Sequence, residues 1–354
     1  MDDRFAERLV RGTLIVLLLV GLALLTVLLS SVLLLIFASI LIAALIRIVA
    51  DPFCVRGMPA TAAVLLGVLM IVGGLGVVGW FFGAQLNAEF ANVARRLPGD
   101  FEALRAWLAA QPFGASIAGM TPDFQSYAGR ALSFAFGAAG ALANLVLVLI
   151  GAIFLALQPG LYMRGVARLF PRDNWDQVIA ALGASGVALR KYLLGQLLTM
   201  LIVGTLVGTG LAIVGVPSAS ALGVIVGLAN FVPLVGPFIG AVPGLLLAFG
   251  QGTETLIAAA LVYFVAQQIE GNVLTPLVQR WAVSIPPALL IFAIAGLGTL
   301  FGSVGVLVAA PLAVVLYTLV TMLWSRDTLG HDVVVPGAAE DHRAQAEDKD
   351  DAGV

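Results

Sequence analysis

Four stretches of this chain, residues 13–46, 57–84, 131–163 and 281–325, contain no Asp, Glu, Lys or Arg. A bilayer's hydrocarbon core is ~30 Å thick and takes about 20 helical residues to cross. Each stretch is therefore long enough for one or two crossings. Backbone N–H and C=O groups find no water in that layer, so the runs must bond their own backbone as helices. Composition agrees: 61% of the 354 residues are hydrophobic and 11% charged, against about 25% charged in soluble domains. The expected fold class is all-α, a polytopic transmembrane helical protein.

Start and stop signals divide the chain into about eight membrane segments, counting a broken, re-entrant helical hairpin. The first helix covers 9–29 and the second 31–49, with a turn near Ser30–Ser31; the third covers 59–84. A fourth is announced by "TPDF", with Thr121 as N-cap and Pro122 at the first helical position, and stops at "QPG" after 157. The fifth, 189–214, ends at Gly215 and Pro217. The broken hairpin occupies 219–250, a sixth helix 254–275, and a last pair, 286–300 and 303–324, turns at "LFGSVG". The domains follow: N-terminal helices in 1–84, an extracytoplasmic amphipathic insert in 85–128, and a helix with its cytoplasmic connector in 129–188. A C-terminal transport core fills 189–326, and 327–354 is a disordered acidic tail.

Charge orients the model. With the N-terminus inside, twelve Lys and Arg fall on the cytoplasmic side: Arg4, Arg8, Arg11, Arg47, Arg56, Arg164, Arg168, Arg172, Arg190, Lys191, Arg280 and Arg326. Four stay outside: Arg95, Arg96, Arg105 and Arg130. This positive-inside bias places both termini in the cytoplasm, and it requires 219–250 to enter and leave on the outer side. The first apolar stretch is too long for a signal peptide and has no small-residue cleavage site, so it reads as an uncleaved helix. A single cysteine, Cys54, excludes an intramolecular disulfide. No basic patch suits nucleic acid; the bilayer is the expected partner.

In the insert, "DFEALRAWLAAQ" puts Phe101, Leu104, Trp107 and Leu108 on one face. That pattern suits a helix on the outer membrane surface, on a neighbouring subunit, or as a solvated cap over the helices. A second short amphipathic piece, "NWDQVIAALGASGVALRKY", precedes the fifth helix on the cytoplasmic side. Glycines at 76, 79 and 83, at 204 and 208, and at 298 and 302 have the spacing of close helix packing.

Two features carry candidate chemistry. The first is "NFVPLVGPFIGAVPG", residues 230–244, with Pro233, Pro237 and Pro243 inside an apolar run. Each proline costs ~3 kcal/mol in a helix interior, and irregular backbone is tolerated at membrane depth only against protein or a water-filled cavity. Two half-helices meeting here would turn backbone groups and the Asn230 amide toward a polar path, as in many transporter sites. The second is "FVAQQIEGNVLTPLVQ", in which Gln267, Gln268, Glu270 and Asn272 make a broad polar face near the inner half of the membrane. From Tyr192 to Gln279 there is no Lys or Arg, and Glu254 and Glu270 are the only acids. A carboxylate at membrane depth faces protein or water, or gives up its charge. Glu270 is thus the candidate coupling acid of a transport cycle, the alternative being a helix cap at the headgroups. A path of amides, hydroxyls and backbone groups without cations suits a small neutral solute or a cation rather than a polyanion. Both histidines, His331 and His342, fall in the tail, and no Walker sequence is present; enzyme chemistry, a metal site and a cofactor are not expected.

The stretches "RKYLLGQLL" at 190–198, "GLANFVPLVGPFIGAVPGLL" at 227–246, "QQIEGNVLTPLVQ" at 267–279 and "PPALLIFAIAGLGTLFGSVGVLVAAPL" at 286–312 resemble the autoinducer-2 exporter family of permease-like membrane proteins. The resemblance implies a bacterial inner-membrane secondary transporter. Its cargo would be a small signalling molecule such as autoinducer-2, or sodium (lithium) and protons in antiport. It also implies homo-oligomers, pentamers among them. Carried onto this chain, Asn230, Pro233, Gly236 and Pro237 fall in the hairpin, and Gln267, Gln268, Glu270, Asn272 and Pro276 in the polar block. Relatives often have a lysine after the "LTP" proline; here Leu277 follows it and Arg280 is the next cation. A channel or non-transporting scaffold is the remaining alternative.

Overall fold

The computed structural model describes residues 28–110, 138–281 and 285–326, together with Thr13, Leu17 and Gly21. Most of the first expected helix, the "TPDF" start and the acidic tail lie outside the described residues. Every element described is helical. In chain order these are α1 Ser30–Val55, α2 Ala60–Ala109, α3 Ala138–Leu157, α4 Pro159–Ala167, α5 Trp175–Val214, α6 Ala219–Ala229, α7 Gly236–Phe249, α8 Thr253–Ile269, α9 Thr275–Trp281 and α10 Pro287–Val320. A π-helical segment, Glu270–Leu274, joins α8 to α9.

Among the described residues, five helices are long and apolar enough to cross a membrane, or six if α3 and α4 count as one bent span. The expected count of about eight is larger because it includes the first helix and the hairpin 219–250 and splits α10 in two. The division of α10 is visible in its backbone. Gly302 has φ +62° and ψ −146°, far from helical values. A Cβ on Gly305 would strike the Leu297 backbone, which lies eight residues back and would be ~12 Å away along a straight helix. The chain therefore folds back at "LFGSVG", as the sequence indicates.

Two helices are longer than their sequence signals suggest. α2 is one helix of 50 residues, running through Pro98 into the insert. No glycine cap stops it near 84, and "AQLNAEFANVARR" is rich in good helix formers. α5 spans 40 residues and takes up the amphipathic piece that precedes the fifth helix; it ends on Gly215 at φ +84°. That left-handed residue returns its N–H to Leu211 and Ala212, a cap glycine adopts without steric cost.

α5 is the spine of the molecule. On one side α6 lies against it with almost no side chains between. A Cβ on Gly223 would fall 2.6 Å from Gly204 O and 2.8 Å from Gly208 Cα, and one on Gly227 2.9 Å from Met200 O. The GxxxG pair on α5 thus meets a second pair on α6. The outer arm of α2 closes over this unit, with Phe90, Val93 and Leu97 in the same apolar cluster as Val216, Ala219 and Leu247. The described part of the insert, 85–110, therefore caps the chain's own helices. By contrast, Gly76, Gly79 and Gly83 meet nothing within 4 Å among the described residues.

At the opposite, Arg-rich end, α1, α3 and α5 are joined by charge. Arg47 Nε donates to Ala156 O at 2.7 Å. Asp51 pairs with Arg47 at 3.0 Å and also with Arg190.

Candidate functional site

α6 and α7 have 11 and 14 residues, ~17 and ~21 Å of helix, so neither crosses the bilayer alone. Both outer ends are held by the α2 arm. Glu89 accepts hydrogen bonds from Ser220 Oγ and from the Ala221 N–H at 2.9 Å, supplying a carboxylate at the first turn of α6. There it satisfies an orphan donor and meets the positive end of the helix dipole. Burial pushes the Glu89 carboxyl up, but the bonds from Ser220, Ala221 and Gln85 outweigh burial and hold it below its ordinary range. At the far end, Trp107 meets Phe249 edge-on with ring centroids 6.0 Å apart. Asp100 lies against Gly250; burial raises its carboxyl above the usual value, against the pull of Arg96. The hairpin enters and leaves on one side.

Its tip lies deep. Gln196 Nε2 donates to Asn230 O, and Gln196 is 18 residues, ~27 Å, along α5 from its outer end. Between α6 and α7 the chain turns with Val235 N–H bonded to Pro233 O at 2.9 Å and Gly236 N–H to Val232 O at 2.8 Å. Leu234 sits at φ +71°, a conformation that costs a bulky L-residue ~1–2 kcal/mol and that clusters at functional sites. Gly236 and Pro237 are buried and Pro233 half-buried. A Cβ on Gly236 would strike the Ala229 carbonyl, so only glycine allows this turn to close. Phe231, beside Asn230, enters an apolar cluster with Leu41, Ala44, Leu189, Leu193 and Val315, sealing the inner side of the tip against α1, α5 and α10.

Asn230 is fully buried at 0% exposure. Its side-chain amide faces the Glu270 carboxyl, yet Asn230 Oδ1 and Nδ2 and Glu270 Oε2 are all buried without a well-formed hydrogen bond. Buried polar groups are satisfied in the great majority of cases, so these three atoms make the tip the most polar buried position among the described residues of the hairpin. Glu270 opens the π-helical turn, a distortion frequent at functional sites; a second one, Thr321–Arg326, follows α10. Two more hydroxyls, on Tyr192 and Tyr263, are buried with no hydrogen-bond partner among the described residues; the Tyr263 hydroxyl lies against Gly244 of α7.

The polar block is divided between two faces. Gln267 and Glu270 are half-buried, whereas Gln268, Asn272 and Pro276 are exposed. The spacing explains this: 267 and 270 share one helical face, while 268 and 272 share another. The structure thus joins Asn230 to Glu270 and turns Gln268, Asn272 and Pro276 outward. Gln196, Phe231, Tyr192 and Tyr263 are the residues that sequence reasoning passed over. Gln196 alone had a signal, as an amide within an apolar helix.

Residues 13–324 match the family model described as AI-2E family transporter. This chain belongs to that family. Among its relatives is the "Putative transport protein YueF" of Bacillus subtilis, 27% identical over 78% of this chain and 80% of the relative. Another is the "Putative transport protein MT0215" of Mycobacterium tuberculosis, 32% identical over 72% of this chain and 73% of the relative. The "Putative permease PerM" of Escherichia coli is 28% identical over 48% of each chain. This AI-2E family member is a polytopic membrane transporter or permease. The match spans both the helices that hold the hairpin and the hairpin itself.

Proposed function

We propose that this chain is a secondary active transporter that exports a small, polar, hydroxyl-bearing solute or signal of the autoinducer-2 type, with Asn230 and Glu270 at the binding position. The observation that carries this is the set of unsatisfied polar atoms on Asn230 and Glu270 at the tip of a re-entrant hairpin. A neutral polyol would supply the missing donors and acceptors to an amide and a carboxyl without demanding a cation to balance it. Pro233, Gly236 and Pro237 shape the turn that presents Asn230. Gln267 stands on the Glu270 face, while Gln268, Asn272 and Pro276 would meet the solute only in a second conformation.

Sodium (lithium)/proton antiport is the second reading. Glu270 favours it, since a carboxyl at membrane depth is the group such exchange needs and Asn230 Oδ1 adds a hard oxygen ligand. In both readings the chain sits in a bacterial inner membrane with both termini cytoplasmic and works as a homo-oligomer. Gly76, Gly79 and Gly83, which meet no described residue within 4 Å, have the spacing that suits such association. Reconstituted vesicles with a pH dye separate the cases. Solute flux without a sodium-driven proton signal supports export, and a sodium-driven signal supports antiport. Current without coupling, or full coupled transport by Glu270→Gln, rejects the assignment of Glu270.

A further inference from the structure

At the Arg-rich end the chain leaves α3 through an elbow. α4 is bent 88° from the preceding helix at Gln158, an angle that would lay it nearly in the membrane plane where α3 emerges along the normal. One face of α4 is anchored, with Ala167 buried and Met163 half-buried. The other presents Leu161, Tyr162 and Val166, continued by Leu169 and Phe170, all exposed, Leu169 at 83%. Trp175 Nε1 donates to Phe170 O at 3.0 Å and fixes the end of this stretch. Beside the apolar strip stand Arg164, Arg168 and Arg172, with no Asp or Glu between 158 and 172. None of these three pairs with an acid among the described residues. Asp173 and Asp176 follow at the N-terminal end of α5, where the helix dipole offsets their charge.

We propose that the α4 elbow is an in-plane interfacial helix that clasps anionic phospholipid headgroups through Arg164, Arg168 and Arg172 while its exposed apolar strip enters the acyl boundary. An in-plane helix with aromatic and aliphatic residues on one side and arginines at its margin has the distribution of a membrane-surface anchor. The arginine stems can lie along lipid while their guanidinium groups stay at headgroup level and meet phosphate in bidentate fashion. A soluble acidic partner would match the arginines but leave the apolar strip in water, and a second copy would bring arginines against arginines. The elbow also joins α3 directly to α5, which carries the hairpin. Lipid charge would therefore bear on the position of the spine.

The test uses the full-length protein in detergent, titrated with phosphatidylglycerol or phosphatidylcholine and read by lipid adducts in native mass spectrometry. Each basic residue near an anionic surface raises lipid occupancy ~fivefold. Arg164→Gln/Arg168→Gln/Arg172→Gln is therefore expected to weaken phosphatidylglycerol binding by up to ~100-fold and leave phosphatidylcholine unchanged. Arg95→Gln/Arg96→Gln/Arg105→Gln, on the opposite arm, is expected to bind as wild type. Equal phosphatidylglycerol binding in both triple variants would overturn the proposal. If the elbow variant does not fold, a spin label on Leu169→Cys in a Cys54→Ala background reads depth in phosphatidylglycerol nanodiscs. A label at the headgroup–acyl boundary supports the proposal; a water-exposed label, or one coupled to a second copy, overturns it.

Discussion

Substituting Gly223 by alanine places one methyl group in the seam between α5 and α6, where there is no side chain to give way. The new Cβ would sit 2.6 Å from Gly204 O and 2.8 Å from Gly208 Cα, against ordinary contacts of ~3.5–4.0 Å between carbon atoms. The helices must therefore part by most of an ångström. A gap of 0.5–1 Å forfeits about a quarter to a half of each dispersion well along the seam, and overpacking typically costs ~1–3 kcal/mol. Helix propensity favours alanine over glycine by ~1 kcal/mol, which offsets part of the loss. We expect a net destabilisation of ~1–2 kcal/mol. Because Gln196 and Asn230 lie further along the same seam, transport should fall more than stability does. Thermal unfolding in detergent and flux in vesicles, measured on the same preparation, read the two effects. Gly76→Ala is the control: no described residue stands within 4 Å of it, so no loss of monomer stability is expected. A Gly223→Ala protein as stable and active as wild type would refute the close approach of α5 to α6.

Other predictions follow from the hairpin's attachments. Glu89→Ala removes the carboxylate at the start of α6 and should cost ~1 kcal/mol, the usual worth of a cap, read by unfolding midpoint. Glu89 is held below its ordinary value of 4.5 when folded. Its contribution is thus complete above pH 4.5 and is lost as pH falls through the lower, folded value; the wild-type advantage over Glu89→Ala should vanish at that acid end. Asp100, raised above 3.8 by burial, has the opposite sign, so Asp100→Asn should be neutral or stabilising at pH 7 by the same measurement. Phe231→Ala opens the apolar seal inside the tip and should let reconstituted vesicles leak solute without a driving gradient.

The sequence reveals what its local chemistry controls. Charge-free runs show the membrane helices, and the prolines at 233, 237 and 243 with Gly236 show where the backbone must break. Glu270 stands out because a carboxylate within an apolar run is costly unless it meets protein or water. What could not be read was contact. Glu89 and Ala221 are 132 residues apart in the chain, and nothing near either marks the pairing. Phe231 looks like any apolar residue until its neighbours are seen. The length of α2 was hidden because a helix that leaves lipid without a stop signal simply continues. The polar block was legible as polar but not as two-sided, since facing depends on which side α5 and the tip approach.

A double-mutant cycle of Asn230→Ala and Glu270→Gln, with solute or ion flux measured in vesicles, asks most directly whether these two side chains form one transport site. Flux lost in each single variant and no lower in the pair is the predicted result. Two independent losses that multiply, or undiminished flux in either single variant, would contradict it.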